Sequence, residues 1–446
     1  MPDFRLSPEA AAAMARANAH DGLVGALFGS ALGDAIGLYT EFLSEALSRR
    51  SYPSASFTLH PNPTPLRPDS HRDPHVPGEW TDDTDHAMLL LLSYLHRDGA
   101  VLDAKDLAAR LDVWVRMGLL ALDTPPLGLG HTVGSIVRTK TYLDDPEGTA
   151  RALWARRGYQ IAPNGSLMRT HPLGLMCLDK TVEETFQVAA DFSVITHVDP
   201  RCIMSCAIGT ALVRGLVLNE VCTEEAIDDV VDRAIQWWVG YRRAQMADES
   251  RHGEPDLDLD ELRRHVKVDN LSDLQLDDAM KIGYVYKCLG SGLHLLRVAM
   301  RRLASTNHAL ATQTSLFEPL ITELTMLGGD ADTNACFAGA LLGALLGYKA
   351  LPTHWREGLV HGDWLMGKAE ALSKVVGVSG GAYSGAEDPD TALDGGRGFL
   401  TEAQMEGKFM LLQANMAQRE TKRRQEEEER EKKSKKASRS SWYKRS

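Results

Sequence analysis

Glycine recurs at every fourth position in two distant segments of this chain. The positions are Gly25, Gly29, Gly33 and Gly37 in the first segment and Gly339, Gly343 and Gly347 in the second. On an α-helix, residues four apart lie on one face, so each set forms a stripe without side chains along which another backbone can approach closely. Such stripes also pair helices in membranes, but the nearby carboxylates of Asp34 and Glu41 favour a soluble core. We therefore expect the two helices to pack against one another or against common neighbours, which brings the residues at their ends together.

Helical periodicity dominates the rest of the sequence, and convincing alternating strands are missing. Apolar residues at helical spacing predict helices over residues 8–38, 83–97, 103–122, 182–192, 200–219, 223–244, 283–304, 316–327 and 332–349. Long loops are expected at 50–80, which is rich in proline, at 123–135, and at 245–275, which is an acidic surface insertion. The pattern predicts an all-α fold.

The composition is that of a soluble globular protein, with 43% hydrophobic and 25% charged residues among 446. The N-terminus has no basic flank followed by an apolar stretch, and residues 22–42, the best candidate for a membrane span, are interrupted by Asp34 and Glu41. The six cysteines form no Cys-x-x-Cys pair and lie in apolar helical contexts, which favours buried free thiols in a reducing compartment. We therefore expect an intracellular, cytoplasmic protein without a membrane partner.

The net charge of −12 is unevenly distributed. Residues 419–446 hold 12 basic and 6 acidic side chains, which leaves a net charge of −18 on the rest of the chain. An acidic body cannot replace phosphate counterions, so general nucleic-acid binding is not expected. Residues 378–416 are predicted to be a glycine-rich loop and a helical extension, and residues 417–446 a charged tail that is disordered or a solvated helix. A basic patch near the end of the tail leaves nuclear import or RNA binding open as its role.

Two acidic clusters open apolar helices that are far apart in the sequence. Their oxygen-bearing members include Thr81, Asp82 and Asp83 in "GEWTDDTDHAM" and Asp330, Asp332 and Thr333 in "GGDADTNACF". One interpretation is N-capping, because hydroxyl and carboxylate oxygens bond the first N–H groups of a helix and carboxylates favour its positive end. However, three carboxylates and two hydroxyls within residues 81–85 exceed what a cap needs.

The other interpretation is a metal site, to which the carboxylates Asp34 and Glu41 at the end of the first glycine stripe would also be suited. Carboxylate and hydroxyl oxygens are ligands for Mg²⁺ or Mn²⁺ rather than for Zn²⁺, which prefers imidazole and thiolate. Two such clusters could hold two ions about 3.5–4 Å apart and share a bridging carboxylate. The spacing alone leaves both interpretations open.

Six motifs of this sequence resemble, in order, those of the ADP-ribosylglycohydrolases, a family that includes the dinitrogenase-reductase-activating glycohydrolase and the ADP-ribosyl-acceptor hydrolases. They are "GSALGDAIG", "GEWTDDTDHAM", "NGSLMRTHPLG", "THVDPRC", "IGYVYKCLGSGLHLL" and "GGDADTNACFAGALLGALLG". The resemblance covers residues 20–370, and the combination of W-T-D-D-T with a distant G-G-D-A-D-T is its most specific part. It implies a compact single-domain orthogonal helical globule over residues 1–377, and a centre of two Mg²⁺ (or Mn²⁺) ions at which ADP-ribose is removed from modified proteins or small acceptors.

The resemblance also implies roles for individual residues. One ion would be held by Thr81, Asp82 and Asp83, and the other by Asp330 and Thr333, with Asp332 as the bridge. The residues expected to take part in catalysis are Glu41, which matches the gating glutamate of the family, and Asp82, Asp83 and Asp332. The residues expected to bind the substrate are Asn164, Gly165 and Ser166, which match an Asn-Gly loop near the ADP-ribose, together with His131 and His197.

One stretch departs from the family pattern. The arginine-cleaving branch has an Asp-Ile-Gly-Asn-Thr-Thr segment whose Asp and Asn reach the substrate ribose, and the corresponding stretch here, "PPLGLGHTVG", has Gly128 and His131 at those two positions. The missing carboxylate argues against cleavage of an arginine bond. His131 could replace it, because imidazole titrates near neutrality, or it could be a loop histidine that bonds only backbone.

The leading prediction is thus a metal-dependent hydrolase that removes ADP-ribose from modified protein side chains or from a related ADP-ribosyl conjugate. A hydrolase for a serine linkage or for O-acetyl-ADP-ribose stays open as one alternative. A catalytically weak or inactive member that binds ADP-ribose, or serves as a structural protein, is the other.

Overall fold

The structure is a computed structural model, and it describes residues 7–305 and 309–443. These residues form helices and turns without a β-strand, which confirms the predicted all-α fold. The α-helices are α1 Pro8–Gly37, α2 Glu45–Ser51, α3 Asp82–His96, α4 Ala104–Met117, α5 His131–Val137, α6 Pro146–Arg156, α7 His171–Met176, α8 Val182–Ser193, α9 Pro200–Val217, α10 Glu224–Gln245, α11 Leu259–Val266, α12 Val285–Ala304, α13 Ala309–Gln313, α14 Phe317–Thr325, α15 Ala331–Leu346, α16 Thr353–Arg356, α17 Gly362–Val375 and α18 Glu402–Tyr443. Short 3-10 turns lie at Glu249–Arg251, Leu271–Leu274, Ala279–Lys281, Tyr348–Ala350, Gly385–Glu387 and Pro389–Thr391.

Every helix predicted from periodicity is present, with ends that shift by a few residues. Two of the predicted loops are wrong in part. The loop at 123–135 ends in α5, which starts at His131, and the insertion at 245–275 contains α11. The side chain of Asp258 caps α11 by accepting from the backbone N–H groups of Asp260 and Glu261, and the helix buries Leu262 and Val266. These helices are too short for their periodicity to stand out from the sequence, and packing stabilises them.

The glycine stripes of α1 and α15 pack directly on one another, as the first of the two expected arrangements. A Cβ placed on Gly29 would lie 2.2 Å from the carbonyl oxygen of Gly339, and one on Gly339 would lie 2.1 Å from that of Gly29. A Cβ on Gly33 would lie 2.0 Å from the carbonyl oxygen of Ala335. Because real contacts of this kind are more than 3 Å long, only glycine permits this approach. The contact aligns the C-terminal end of α1 with the N-terminal end of α15.

The chain divides into two compact units. The larger consists of residues 7–67 and 77–398, and the smaller of residues 68–76 with 399–443. Residues 378–398 belong to the larger unit, where buried Lys368 pairs with Asp388 at 2.6 Å and with Asp390 at 2.9 Å.

Within the smaller unit, α18 contacts the segment 68–76. Arg419 donates to the carbonyl oxygens of His75 and Pro74, and Arg423 pairs with Asp73 at 2.8 Å. The predicted tail, residues 417–446, was expected to be disordered or a solvated helix. The structure describes helix as far as Tyr443, and the division of the chain into these segments stays a prediction.

The apolar helix α9 is the one described helix that is long and apolar enough to cross a membrane, and 94% of it is buried inside the structure. It is a different segment from residues 22–42, the best candidate in the sequence. All six cysteines are free thiols. Five are buried as expected, and Cys222 is exposed.

Candidate metal centre

Packing of α1 on α15 brings three acidic segments together. Asp34 lies in the last turn of α1, Thr81 directly precedes α3, and Asp330 directly precedes α15. Two groups of carboxylates result, each with oxygen atoms within 4.8 Å of one another: Asp34, Asp83 and Asp332, and then Glu41, Asp330 and Asp332. Asp332 belongs to both groups, which is the arrangement that a bridging ligand requires.

The structure does not support N-capping as the purpose of these residues. Thr81 and Asp330 occupy the N-cap positions of α3 and α15, yet neither side chain accepts a capping hydrogen bond from a backbone N–H of its own helix. The side chain of Asp34 caps α3 instead. Its carboxylate accepts hydrogen bonds from the backbone N–H groups of Thr81 at 2.9 Å and Thr84 at 3.0 Å, and from both hydroxyl groups. One carboxylate of α1 therefore caps α3. Within α3, Asp85 accepts hydrogen bonds from the indole N–H groups of Trp80 and Trp114, each at 2.9 Å, so Asp82 and Asp83 are the acidic residues that remain candidates for other ligands.

The hydroxyl group of Thr81 lies among more carboxylate oxygens than it can hydrogen-bond. Its Oγ1 lies 2.9 Å from an oxygen of Asp34, 3.2 Å from one of Asp83 and 3.3 Å from one of Asp332. A hydroxyl has a single hydrogen to donate, so it cannot satisfy three carboxylates. In addition, Oδ1 of Asp83 is buried without a hydrogen-bond partner. Buried oxygens in this arrangement need protons or a cation between them, and oxygen-only ligands fit a hard divalent ion.

Burial raises the pKa of every aspartate in the cluster. Desolvation raises the pKa of Asp34 and of Asp330 to about 6, against hydrogen bonds from neighbouring side chains that lower it. The pKa values of Asp82, Asp83 and Asp332 lie well above their usual range, first because of burial and then because neighbouring carboxylates oppose ionisation. Cations held here would compensate this repulsion and allow the carboxylates to ionise at neutral pH.

Thr333 and Asn164 fix the second carboxylate group. The hydroxyl group of Thr333 favours the ionised form of both Asp83 and Asp330 and so opposes the rise of their pKa values, which places it next to both acidic segments. Nδ2 of Asn164 donates to Oδ2 of Asp330 at 2.8 Å, and the backbone N–H of Asn164 donates to the carbonyl oxygen of Gly283 at 3.0 Å. The predicted substrate loop therefore begins in contact with a predicted metal ligand.

The rest of that loop rests on a buried polar layer. A Cβ on Gly165 would lie 3.2 Å from Nε2 of His197, so the imidazole packs directly against this glycine. Burial, and then the nearby charge of Arg169, lower the pKa of His197 to about 3, so its imidazole is neutral. Ser166 is buried and accepts a hydrogen bond from Oγ of Ser193 at 3.1 Å. It therefore supports the loop from the inside.

The stretch that departs from the family pattern lies beside the first metal-ligand segment. Gly128 has a positive φ of 83°, and a Cβ placed on it would lie 2.4 Å from Oδ1 of Asp82. The carboxylate of Asp82 thus fills the space that a side chain at position 128 would enter. Three residues later, His131 is exposed at the first position of α5.

Two residues outside the predicted sets of metal ligands, catalytic residues and substrate-binding residues contribute to the site. Asp34 was recognised only as a hard oxygen ligand near the first glycine stripe, yet it caps α3 and belongs to one carboxylate group. Phe42 follows Glu41 with a positive φ of 58°, and its N–H donates to the carbonyl oxygen of Gly329 at 2.6 Å. No local sequence signal marks this strained position, because phenylalanine has no preference for left-handed backbone.

Comparison with known proteins agrees with this geometry. The sequence profile of the ADP-ribosylglycohydrolases matches residues 15–382. An ADP-ribosylarginine hydrolase of Serratia proteamaculans is 25% identical over 78% of this chain and 78% of its own length. An ADP-ribosylhydrolase of Danio rerio is 25% identical over 76% of this chain and 87% of its own length. An ADP-ribosyl-[dinitrogen reductase] glycohydrolase of Rhodospirillum rubrum is 24% identical over 75% of this chain and 89% of its own length.

A solved structure shares the fold. It is described as an ADP-ribosylglycohydrolase-related protein complex, and it matches 81% of this chain and 99% of its own with a TM-score of 0.51 and 23% identity. The family profile spans most of the chain and includes every residue of the acidic cluster. This protein therefore belongs to the ADP-ribosylglycohydrolase family.

Proposed function

We propose that this protein is a metal-dependent hydrolase that removes ADP-ribose from modified protein side chains or from a related ADP-ribosyl conjugate. The single observation that carries the proposal is Asp332, which is shared by two groups of carboxylates whose oxygen atoms lie within 4.8 Å of one another. Family membership agrees with hydrolysis of an ADP-ribosyl bond, and the names of the relatives point to the same chemistry.

The proposed ligands of two Mg²⁺ or Mn²⁺ ions are Thr81, Asp82, Asp83, Asp330, Asp332 and Thr333. Such ions, when bound, neutralise developing charge and lower the pKa of a water molecule that attacks the sugar. Asp34 orients Thr81 through hydrogen bonds to its N–H and its hydroxyl. Asn164 holds the carboxylate of Asp330 in the same way. These contacts preorganise the oxygen atoms before any ligand arrives, which lowers the cost of assembling the site.

Glu41 is the proposed proton carrier. Its carboxylate lies within 4.8 Å of oxygens of Asp330 and Asp332, and its side chain is almost completely buried. A carboxylate beside the reacting centre can take a proton from the attacking water and return one to the leaving group. The turn that carries Glu41 is fixed by the bond from Phe42 N–H to Gly329, so the carboxylate is held in position.

The proposal is tested with a panel of ADP-ribosyl linkages. The protein is incubated with arginine-linked and serine-linked ADP-ribosylated proteins and with O-acetyl-ADP-ribose, in Mg²⁺, in Mn²⁺ and in EDTA, and free ADP-ribose is measured. We expect release from at least one linkage that requires the metal. Release that is equal in EDTA would contradict the metal role, and no release from any linkage would contradict the enzyme.

A non-catalytic ADP-ribose-binding protein is the second candidate. It is favoured by Gly128, because the position next to Asp82 has no side chain that could act as an acid or a base. Calorimetric binding of ADP-ribose without hydrolysis of any linkage in the panel would select this candidate.

A further inference from the structure

Two exposed apolar side chains stand on the turns that border the acidic cluster. Phe42, which follows Glu41, keeps 52% of its surface exposed, and Met280 keeps 91%. Exposed apolar residues that stand alone need no explanation, but those beside a reaction centre contact whatever enters it. The question is whether Phe42 and Met280 belong to one rim.

Backbone contacts place both turns around Gly329. The N–H of Phe42 donates to the carbonyl oxygen of Gly329 at 2.6 Å, and the N–H of Gly329 donates to the carbonyl oxygen of Leu43 at 2.9 Å. On the other side, a Cβ on Gly329 would lie 2.1 Å from the carbonyl oxygen of Leu276. The two turns therefore flank the same glycine, which directly precedes Asp330.

Two aspartates tie and shape the second turn. Oδ2 of Asp277 accepts from the backbone N–H of Glu45 at 3.0 Å, which connects the second turn to the first residue of α2, three residues after Phe42. Oδ1 of Asp278 accepts from the N–H of Met280 at 3.0 Å and so orders the short 3-10 turn that carries this methionine. The turn then returns to the cluster at Gly283, where a Cβ would lie 3.1 Å from Oδ2 of Asp330. The backbone of Met280 is thus ordered, three residues before the contact of Gly283 with Asp330.

We propose that Phe42 and Met280 form a docking surface for the polypeptide that bears the ADP-ribose, and that they contact an apolar side chain next to the modified residue. The proposal rests on the proposed hydrolase function, because only a bond cleaved at the carboxylate cluster requires the acceptor chain to pass this rim. The surface is continuous with the proposed reaction centre, since Phe42 adjoins Glu41 and the Met280 turn adjoins Asp330. An ADP-ribosyl amino acid carries none of the neighbouring residues that such a surface would contact. The acceptor class is therefore a protein rather than a free small molecule.

The test compares two substrates with one linkage. A linkage that the panel shows to be cleaved is presented on an intact ADP-ribosylated protein and on the ADP-ribosyl amino acid that complete proteolysis of that protein releases. The variants are Met280→Ser and the double variant Phe42→Asn with Met280→Ser, in which asparagine tolerates the left-handed backbone. We expect the ratio of kcat/KM for the protein to kcat/KM for the amino acid conjugate to fall about threefold in the single variant and about tenfold in the double variant.

Val239→Ser serves as the matched control, because Val239 is 55% exposed on α10, which supplies no residue of the carboxylate cluster. Its ratio is expected to equal that of the unmodified protein. An unchanged ratio in Met280→Ser and in the double variant would overturn the docking surface while leaving the hydrolase intact. A change in the oligomeric state of the double variant, measured by light scattering, with an unchanged ratio would assign the patch to a second copy of this chain and would also overturn the proposal. Failure of the hydrolase itself is recognised separately, as no release from either substrate by the unmodified protein.

Discussion

Replacement of Gly128 by alanine tests the placement of the first metal-ligand segment. A Cβ at this position would lie 2.4 Å from Oδ1 and 3.2 Å from Cγ of Asp82. An ordinary contact needs more than 3 Å, so the carboxylate must move by about 1 Å or the backbone must shift. In addition, the φ of 83° is left-handed, which costs an alanine about 1–2 kcal/mol.

The magnitudes separate an effect on the site from an effect on the fold. Backbone strain of about 1–2 kcal/mol leaves a large helical protein folded. A displacement of about 1 Å in a catalytic carboxylate can lower the rate about 100-fold. We therefore expect Gly128→Ala to melt only a few degrees below the unmodified protein and to lose about 100-fold in kcat/KM for the linkage that is cleaved, with weaker stabilisation by Mg²⁺.

The matched control is Gly130→Ala, two residues away. Gly130 has a φ of −61°, and no atom lies within 4 Å of a Cβ placed on it. This variant is expected to keep full activity and to melt close to the unmodified protein, because the restriction of the unfolded chain by alanine is offset by the loss of glycine at the N-cap of α5. Thermal unfolding with and without Mg²⁺, together with release of free ADP-ribose, measures both variants. Wild-type activity in Gly128→Ala would refute the packing argument and the assignment of Asp82 to the site.

Three further predictions concern the same cluster. Asp332→Asn removes the carboxylate shared by both groups, so the variant should lose at least about 100-fold in activity and should no longer be stabilised by Mg²⁺. In EDTA it should melt no lower than the unmodified protein, because repulsion among the buried carboxylates is relieved, and retained activity would exclude a bridging role. The pKa values of Asp34 and Asp330, about 6 in the folded chain against 3.8 in the unfolded chain, mean that the folded chain binds more protons in this window. The free energy of unfolding in EDTA should therefore fall as the pH rises from 4 to 6, by up to roughly 3 kcal/mol per carboxylate. A free energy of unfolding that rises over this window would contradict the raised pKa values of Asp34 and Asp330. Gly33→Ala should destabilise the protein by about 3 kcal/mol or more in chemical unfolding, because its Cβ would lie 2.0 Å from the carbonyl oxygen of Ala335. The control Gly367→Ala lies on α17, where no atom is within 4 Å of the added Cβ, and it should be neutral or stabilising. Equal effects of the two substitutions would show that the glycine stripe is not required.

Periodicity and residue chemistry were sufficient to predict the helices and the candidate ligands. The glycine stripes predicted a close contact of two helices that lie about 300 residues apart, because spacing by four has one meaning on a helix. The oxygen-rich segments at Thr81 and Asp330 indicated hard cations by their chemistry alone. Short helices such as α5 and α11 were missed, because a few residues carry too little periodicity and depend on their neighbours for stability.

Tertiary structure alone decided which acidic residue does what. Asp34 bonds Thr81 across 47 residues, and Thr81 contacts Asp332 across 251, so no local pattern could show that Asp34 caps α3 or that Asp34, Asp83 and Asp332 form one carboxylate group. The same holds for Gly128, because only its contact with Asp82 shows that the space a side chain would enter at this position is occupied by a carboxylate. Composition and spacing report the chemistry of each side chain and the local shape of the backbone. The partners of a side chain are set by which distant segments the packing of α1 on α15 brings into contact.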